Sequence, residues 1–297
     1  MDSELIIKLR KEVISILNDG DYLGNEYVFV NSKHEKDIFS NKNIVIFQPG
    51  KVGSVSIHKA LVKLCQEDII KSSWHTHYLW KNALRFDLKE IIDLPRNHMR
   101  RIAWCLSYAI NNENLIQNIN FIIVVREPIS RILSAVWQNL GIEIDLDNRI
   151  VSSEGKLNLE ELRKFIVNEW YKYPKGRFAW HETQFKNYFG FDLSNLEINK
   201  KKGYGITETK YGKILFLKYE KLNEVFSQAI KCFLNISNVQ LSRENVGDEK
   251  PKGKSYSEAK KTFKLQRTFL EQVYNMPFVI KTYSLEEIQK YTGRWSE

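Results

Sequence analysis

The chain has 297 residues, of which 45 are Lys or Arg and 36 are Asp or Glu, so its net charge is +9. Hydrophobic residues make up 43% of the chain and aromatic residues 12%, enough for a sizeable core, which excludes a disordered protein. The sequence contains no run of about 18 apolar residues and no signal peptide at its start, so we expect a cytoplasmic protein without integral membrane contact.

Cysteine and charge patterns exclude further classes of protein. The three cysteines are widely spaced and odd in number, which fits neither a disulfide framework nor a zinc site. Basic residues cluster at positions 199–202 and 243–267, as they do on surfaces that bind nucleic acid, anionic glycans or a multiply charged cofactor, and on ordinary solvated faces. Because no helix-turn-helix, zinc-finger or RNA-binding signature accompanies them, we expect no nucleic acid partner.

Apolar patterns predict the secondary structure in chain order. Residues at helical spacing indicate a helix at 4–17, another after residue 53 and a third at 97–109. A capping box formed by Ser284 and Glu287 opens the last helix. Short apolar runs predict strands at Asn43–Phe47, Phe121–Val125 and 213–218, and Ser72–Tyr78 is expected to be a short strand or its exit loop. Helices are expected after Arg126 and at about 159–172, 179–189 and 222–234.

Strands that alternate with helices predict an α/β fold with a central, mainly parallel sheet flanked by helices. We expect a single domain over residues 1–297, with a helical arm at 1–40 and the core over 43–297. The stretches 199–212 and 243–256 are predicted to be loops within this domain. The oligomeric state does not follow from the sequence.

The most informative stretch is the loop Gln48–Ser54, which joins a predicted strand to an amphipathic helix. Such a loop directs backbone N–H groups and the positive end of a helix at one point, which favours phosphate-like anions. Lys51 adds a mobile cation. A nucleotide triphosphate loop needs the order G-x-x-x-x-G-K-[ST], whereas here Lys51 precedes Gly53. The loop therefore predicts a nest for an anion other than a triphosphate.

A second anion-binding pattern begins at Arg126, directly after the predicted strand Phe121–Val125. Ligands of parallel sheets gather at the carboxyl ends of strands. Ser134 follows two turns into the next helix, and a guanidinium with a hydroxyl suits a phosphate monoester. An arginine at this place also often pairs only with a nearby carboxylate, so the pattern alone leaves both interpretations open.

Together the two segments resemble the paired signatures of the sulfotransferases that use 3′-phosphoadenosine 5′-phosphosulfate (PAPS). Blocks at Trp180–Asp192, Leu215–Leu222 and Tyr283–Ile288 resemble a bacterial branch labelled capsular-polysaccharide synthesis proteins. The order of the blocks agrees from about residue 43 to the end of the chain. The resemblance implies the P-loop-like sulfotransferase fold, PAPS as sulfuryl donor and 3′-phosphoadenosine 5′-phosphate (PAP) as product.

The resemblance also implies roles for individual residues. The loop would bind the 5′-phosphosulfate, with Lys51 stabilising the leaving phosphate, and Arg126 and Ser134 would bind the 3′-phosphate. Val55 stands where many family members have Thr or Ser, which favours Ser54 over Ser56 as the hydroxyl on the sulfate. Lys254 and Tyr256, in a basic loop, are expected to close over the 3′-phosphate and adenine. The expected donor-binding set is Gly50, Lys51, Val52, Gly53, Ser54, Val55, Arg126, Ser134, Lys254 and Tyr256.

The third pattern is the pair His75 and His77. Residues i and i+2 of a strand project from the same face, so the two rings are expected together. They could be two metal ligands or ordinary histidines, but no third ligand of suitable spacing follows, so no metal is expected. The pair resembles the His-x-His of heparan 2-O-sulfotransferases, which implies His77 as the general base and His75 as its orienting partner or substitute.

The expected reaction is transfer of a sulfuryl group from PAPS to a hydroxyl, or an amine, of a glycan or small-molecule acceptor. Two other classes stay open: a P-loop-like nucleotide kinase or NTPase, and a non-catalytic protein that binds anionic glycans. Glu182 lies on a predicted helix with surface periodicity, and we expect its side chain to be solvated.

Overall fold

The computed structural model contains two compact units whose segments alternate along the chain. The sheet unit comprises residues 1–49, 53–125 and 203–242, and the helical unit comprises residues 50–52, 126–202 and 243–297. Most of the predicted arm at 1–40 and of the predicted helix at 97–109, together with Tyr78, lies outside the described residues. The described residues are 11, 28–30, 43–77, 79, 103, 106–107, 119–140, 147–152, 155–172, 175–186, 198–209, 212–241 and 253–297.

The sheet unit is built on a six-stranded sheet with the order β1-β3-β2-β4-β6-β5. The four inner strands run parallel to one another, and the two edge strands pair antiparallel with their neighbours. This arrangement confirms the predicted α/β fold with a mainly parallel sheet. The strands are β1 (Val28–Val30), β2 (Asn43–Phe47), β3 (Ser72–Thr76), β4 (Asn120–Val125), β5 (Tyr204–Thr209) and β6 (Gly212–Lys218).

The inner strands are apolar because helices cover the sheet. Helix α1 (Ser54–Gln66) packs on β3, and a later helix, Leu222–Leu234, packs on β6. Every residue of β2 is buried, as expected for a parallel strand covered on both faces. The predicted stripe of α1 is confirmed, since its members Ile57, Leu61, Leu64 and Cys65 are all buried.

Helices and short turns make up most of the described part of the helical unit. The predicted helix at 159–172 is confirmed as Leu159–Tyr171, and the predicted capping box closes both of its hydrogen bonds at Ser284. Numbered in chain order across both units, the helices after α1 are α2 (Pro128–Asn139), α3 (Asp147–Ile150), α4 (Leu159–Tyr171), α5 (Leu222–Leu234), α6 (Gly253–Thr262), α7 (Arg267–Tyr274), α8 (Pro277–Thr282) and α9 (Leu285–Trp295).

Two predicted loops are wrong in part. Strand β5, Tyr204–Thr209, lies within the stretch 199–212, and helix α6 begins within the stretch 243–256. β5 is an edge strand with half of its residues polar, so it carries no continuous apolar run. Helix α6 is rich in Lys and Ser and buries few residues, so its apolar period is weak.

The predicted helix at 179–189 is helical over its described residues, 179–186, but it is not a regular α-helix. A 3₁₀ turn, Gly176–Ala179, leads into a π-helix, His181–Phe185. The turn begins with positive φ angles of 68° at Lys175 and 51° at Gly176. A Cβ atom at Gly176 would lie 2.2 Å from the backbone oxygen of Glu169, so only glycine fits this close approach.

The buried carboxylate of Glu127 links three helices of the helical unit by hydrogen bonds. Glu127 is 1% exposed and accepts hydrogen bonds from five donors, three of them at the start of α2. The others are the Tyr274 hydroxyl on α7, at 2.7 Å, and the Trp295 indole N–H on α9, at 3.2 Å. Burial and this negative charge raise the pKa of Tyr274, so its hydroxyl keeps the proton that it donates. A buried charge needs such complete satisfaction.

We predict that Glu127→Gln lowers the free energy of unfolding by roughly 2–4 kcal/mol, because an amide NH₂ replaces an acceptor among donors. Urea unfolding followed by circular dichroism measures the loss. The matched control is Glu258→Gln on α6, where the side chain is exposed and a change below about 0.5 kcal/mol is expected. Equal stabilities of the two variants would contradict the assigned role of Glu127.

Candidate functional site

Two histidines lie at the carboxyl end of β3, beside the end of its parallel neighbour β2 in the sheet unit. The register pairs Ile46 with His75 and Phe47 with Thr76, which brings Gln48 level with His77. His75 is buried within β3, and His77 is the half-buried residue that follows it. Their ring centroids are 4.9 Å apart with perpendicular planes, so the rings lie together as the alternation predicted.

Gln48 contacts both rings and defines their tautomers. The His77 Nδ1 atom lies 2.8 Å from the Gln48 carbonyl oxygen, and because a carbonyl only accepts, Nδ1 carries the proton. The lone pair of His77 is therefore on Nε2. The Gln48 side-chain amide donates to Nε2 of His75 at 2.9 Å, which leaves the proton of neutral His75 on Nδ1. Gln48 thus sets the orientation of both imidazoles.

The environment of His77 keeps its ring neutral near pH 7. Burial lowers the pKa of His77 below its ordinary value of 6.5, and the bond to the Gln48 carbonyl only partly opposes this. A neutral imidazole with its Nδ1 proton engaged can accept a proton at Nε2, as a general base does.

Sequence reasoning missed two polar residues of this cluster, Gln48 and His58. His58 is buried in α1, its Nδ1 lies 2.8 Å from the Ser73 hydroxyl oxygen, and its ring centroid is 6.3 Å from that of His75. The apolar stripe of α1 includes position 58, so the period could have predicted its burial. Gln48 directly follows a parallel strand, where ligand-binding residues gather.

The loop Gln48–Ser54 has an unusual backbone. Lys51 has a φ of 71°, a left-handed conformation that is uncommon and costly for a residue with a side chain. Gly53, with a φ of 81°, caps α1, and no side-chain hydrogen bond caps that end of the helix. A Cβ at Gly53 would lie 3.1 Å from Leu222 and 3.2 Å from Tyr219. Since no side chain caps this end of α1 and a Cβ at Gly53 would be crowded, backbone N–H groups alone line the turn.

Arg126 stabilises the strained conformation of Lys51. Its Nη1 atom donates to the Lys51 backbone oxygen at 2.8 Å, across 75 positions of the sequence. Sequence analysis offered a carboxylate as the ordinary partner of such an arginine, and the structure provides this backbone carbonyl. The two segments that carried the anion-binding patterns thus meet directly.

Helix α2 carries Ser134 towards an aromatic pair. Ser134 is half-buried, and Trp137 lies three positions later on the same side of the helix. The Trp137 indole N–H donates to the Ser255 hydroxyl at 3.2 Å, and its ring centroid is 5.4 Å from that of Tyr256. The ammonium of Lys260 lies 4.5 Å above the Tyr256 ring, a cation–π contact.

The predicted setting of Lys254 and Tyr256 is wrong, because both lie on helix α6 and not in a loop. Tyr256 is half-buried against α2, whereas Lys254 is exposed and forms no hydrogen bond or ion pair with the residues that the structure describes. The helix presents its aromatic residue to α2 because Ser255 anchors it there. The Tyr256 ring contacts Trp137 on α2, the helix that carries Ser134.

Glu182 corrects the expectation of a solvated side chain. Both carboxylate oxygens are inaccessible, and neither has hydrogen-bond geometry with a described residue. Burial raises the pKa of Glu182 to about 7, while nearby backbone amides, including that of Phe278, and the charges of Lys175 and Arg131 act in the opposite direction. The π-helix turns this side chain inwards, which a regular surface helix would not do.

Among the described residues, no group of three or more His, Cys, Asp or Glu is arranged to hold a metal ion. No helix in the same part of the chain is long and apolar enough to cross a membrane.

The sheet and the helices that cover it define an α/β protein with a mainly parallel sheet. Residues 160–284 match the model of the NKWYS family, described as "Putative capsular polysaccharide synthesis protein". This stretch is less than half of the chain; it contains Glu182 and Tyr256, and it excludes Lys51, His77 and Arg126. No curated protein and no solved structure gave a significant match.

We predict that Glu182→Gln raises the free energy of unfolding at pH 8 by as much as about 3 kcal/mol. A carboxyl whose folded pKa is raised to about 7 costs stability as pH rises from the unfolded value of about 4.3 through that pKa. The free energy of unfolding of the variant should therefore equal that of the wild type below about pH 4 and exceed it at higher pH. Urea unfolding across pH measures the difference, with exposed Glu286→Gln as control; a gain that is independent of pH would contradict the burial.

Proposed function

We propose that the protein transfers a sulfuryl group from PAPS to a hydroxyl, or an amine, of a sugar-containing or small-molecule acceptor. The observation that carries this proposal is the hydrogen bond from Arg126 to the Lys51 carbonyl. This bond joins two segments that each carry an anion-binding pattern. The order and spacing of the two segments along the chain resemble those of PAPS-dependent sulfotransferases. The match of residues 160–284 to a capsular polysaccharide synthesis family supports a glycan-related acceptor.

The donor has three features that this chain can bind. The N–H groups at the uncapped start of α1 and the ammonium of Lys51 suit the 5′-phosphosulfate. The guanidinium of Arg126 and the hydroxyl of Ser134 suit the 3′-phosphate. The aromatic pair of Trp137 and Tyr256 suits the adenine ring, because stacking on an aromatic face needs no particular base.

The chemistry is an in-line displacement at sulfur. The acceptor oxygen forms a bond to sulfur while the bond from sulfur to the bridging phosphate oxygen breaks, and the electron pair of that bond leaves with PAP. Lys51 and the loop N–H groups stabilise the negative charge on the leaving oxygen. The proton of the acceptor goes to Nε2 of His77, the nitrogen that the bond to Gln48 leaves as acceptor.

His75 acts on this step through Gln48. Its Nε2 holds the Gln48 side chain at 2.9 Å, while the carbonyl of the same residue holds His77 at 2.8 Å. We therefore assign His75 the role of a positioning residue and His77 the role of base. The direct test of the function is incubation with PAPS and fractionated lysate of the source cell, followed by mass spectrometry for products that gain SO₃.

We predict that Lys51→Ala lowers kcat by roughly 10²–10³-fold, because one preorganised donor at the leaving oxygen is lost. Arg126→Ala should weaken PAP affinity at least about tenfold in calorimetry, and Arg126→Lys should restore it only in part, because lysine lacks the planar fork. Lys63→Ala, exposed on α1, is the matched control. Unchanged PAP affinity in Arg126→Ala would remove the basis of the 3′-phosphate assignment.

We predict an acid limb in the pH profile of kcat/KM with a midpoint below 6.5, because the pKa of His77 is lowered from that value. Activity is lost as pH falls through the lowered pKa and protonates Nε2. The profile is measured between about pH 5 and 9 for wild type and His77→Gln. If the variant keeps both the rate and the acid limb of the wild type, His77 is not the base. A non-catalytic glycan binder would show no turnover in either protein.

A further inference from the structure

A groove with mixed polar and aromatic walls lies in the helical unit, along α4. Its volume is 410 Å³, within the range of small-molecule sites. None of the predicted donor-binding residues lines it. Its walls are formed by α4, α7 and the segment between α6 and α7, and the side chains used below are Arg163, Lys164, Asn168, Tyr171, Gln266 and Gln272.

Tyr171 is the outstanding residue of this groove. It is the last residue of α4, it is 71% exposed, and its side chain also borders a second cavity, of 580 Å³, lined by Trp170 and Met276. An exposed tyrosine offers a flat apolar face and a polar tip at little cost in conformational entropy. Tyr171 therefore forms a ridge with a cavity on either side, on which a flat ligand can stack.

The charged residues of the groove are engaged with protein groups. Lys164 pairs with Glu160 at 2.9 Å and with Glu161 at 3.0 Å. Arg163 donates to the Lys264 backbone oxygen at 2.8 Å and lies 3.7 Å from the Glu297 carboxylate. The lining thus contains two cations and two carboxylates, Glu160 and Glu297, so its own charges cancel. An anionic ligand gains little here.

The uncharged polar side chains of the groove have no partner among the described residues. The side-chain amides of Asn168, Gln266 and Gln272 appear in no hydrogen bond with that part of the chain. Each amide offers two donors and an acceptor. Planar amides beside an exposed aromatic ring complement a ring that has apolar faces and hydroxyl groups around its edge, which is the chemistry of a sugar.

We propose that this groove, the Tyr171 groove, binds an uncharged oligosaccharide, one sugar ring stacking on Tyr171 and its hydroxyl groups bonding to the neighbouring amides. This inference deepens the proposed function. It rests on that function in taking the oligosaccharide to be part of the acceptor. All of the groove except Glu297 lies within the stretch that matches the capsular polysaccharide synthesis family. A groove apart from the donor-binding residues would hold the acceptor chain by units other than the one that is sulfated.

The test is calorimetric titration of the full chain with three hexasaccharides in the absence of PAPS. Maltohexaose and chitohexaose are uncharged, and hyaluronan hexasaccharide is the acidic comparison. We expect saturable binding of at least one uncharged probe, tighter than that of hyaluronan. Tyr171→Ala should weaken it at least about tenfold, since stacking and part of the groove wall are lost, while Tyr171→Phe should keep most of it.

Leu285→Ala is the matched control, because Leu285 is 69% exposed and does not line the groove; its affinity should equal that of the wild type. Gln272→Ala should weaken binding without affecting PAP affinity. The inference is overturned if neither uncharged probe binds, if hyaluronan binds more tightly, or if Tyr171→Ala keeps the affinity of the wild type. PAP affinity measured on the same samples separates this result from a failure of the proposed function, which predicts PAP binding in every one of these proteins.

Discussion

The buried carboxylate of Glu127 is the constraint on which the helical unit depends. An isolated charge in the interior costs several kcal/mol, and here five hydrogen bonds offset that cost. The donors come from α2, α7 and α9, so the Glu127 side chain links the start of α2 to the other two helices. The residue before Glu127 is Arg126, so the same constraint directs the guanidinium whose Nη1 bonds to the Lys51 carbonyl. The placement of Arg126, the arginine proposed to bind the 3′-phosphate, thus follows from a structural carboxylate.

Much of the fold could be predicted because its central elements are strongly patterned. The predicted strands at Asn43–Phe47 and Phe121–Val125 and the predicted helix at 222–234 have bounds within one residue of β2, β4 and α5. Strand β5 escaped prediction because an edge strand has a partner on one side only and keeps polar residues. The π-helix was not predicted because the turn before it, at Lys175 and Gly176, is determined by contact with Glu169. Hydrophobic periodicity contains no information about such a tertiary contact.

For the candidate site, sequence reasoning named the residues proposed to bind the donor and to take the proton, and it missed a residue that orients them. Lys51, Arg126 and the two histidines stand in recognisable patterns, whereas Gln48 acts through a backbone carbonyl and an amide that no motif marks. Glu182 was expected in solvent because its neighbours have surface periodicity, yet the π-helix buries it. Orienting contacts depend on strand register and helix type, which follow from tertiary structure rather than from local pattern.

The central claim is that the Lys51 loop and Arg126 bind a nucleotide with phosphates at both its 3′ and 5′ positions. Calorimetric titration with PAP and with ADP, both without Mg²⁺, tests it most directly, because the two ligands carry similar charge and differ in where the second phosphate lies. PAP should bind at least about tenfold more tightly than ADP, as a charge-assisted fork at Arg126 requires. Equal affinities, or tighter binding of ATP with Mg²⁺, would contradict the account.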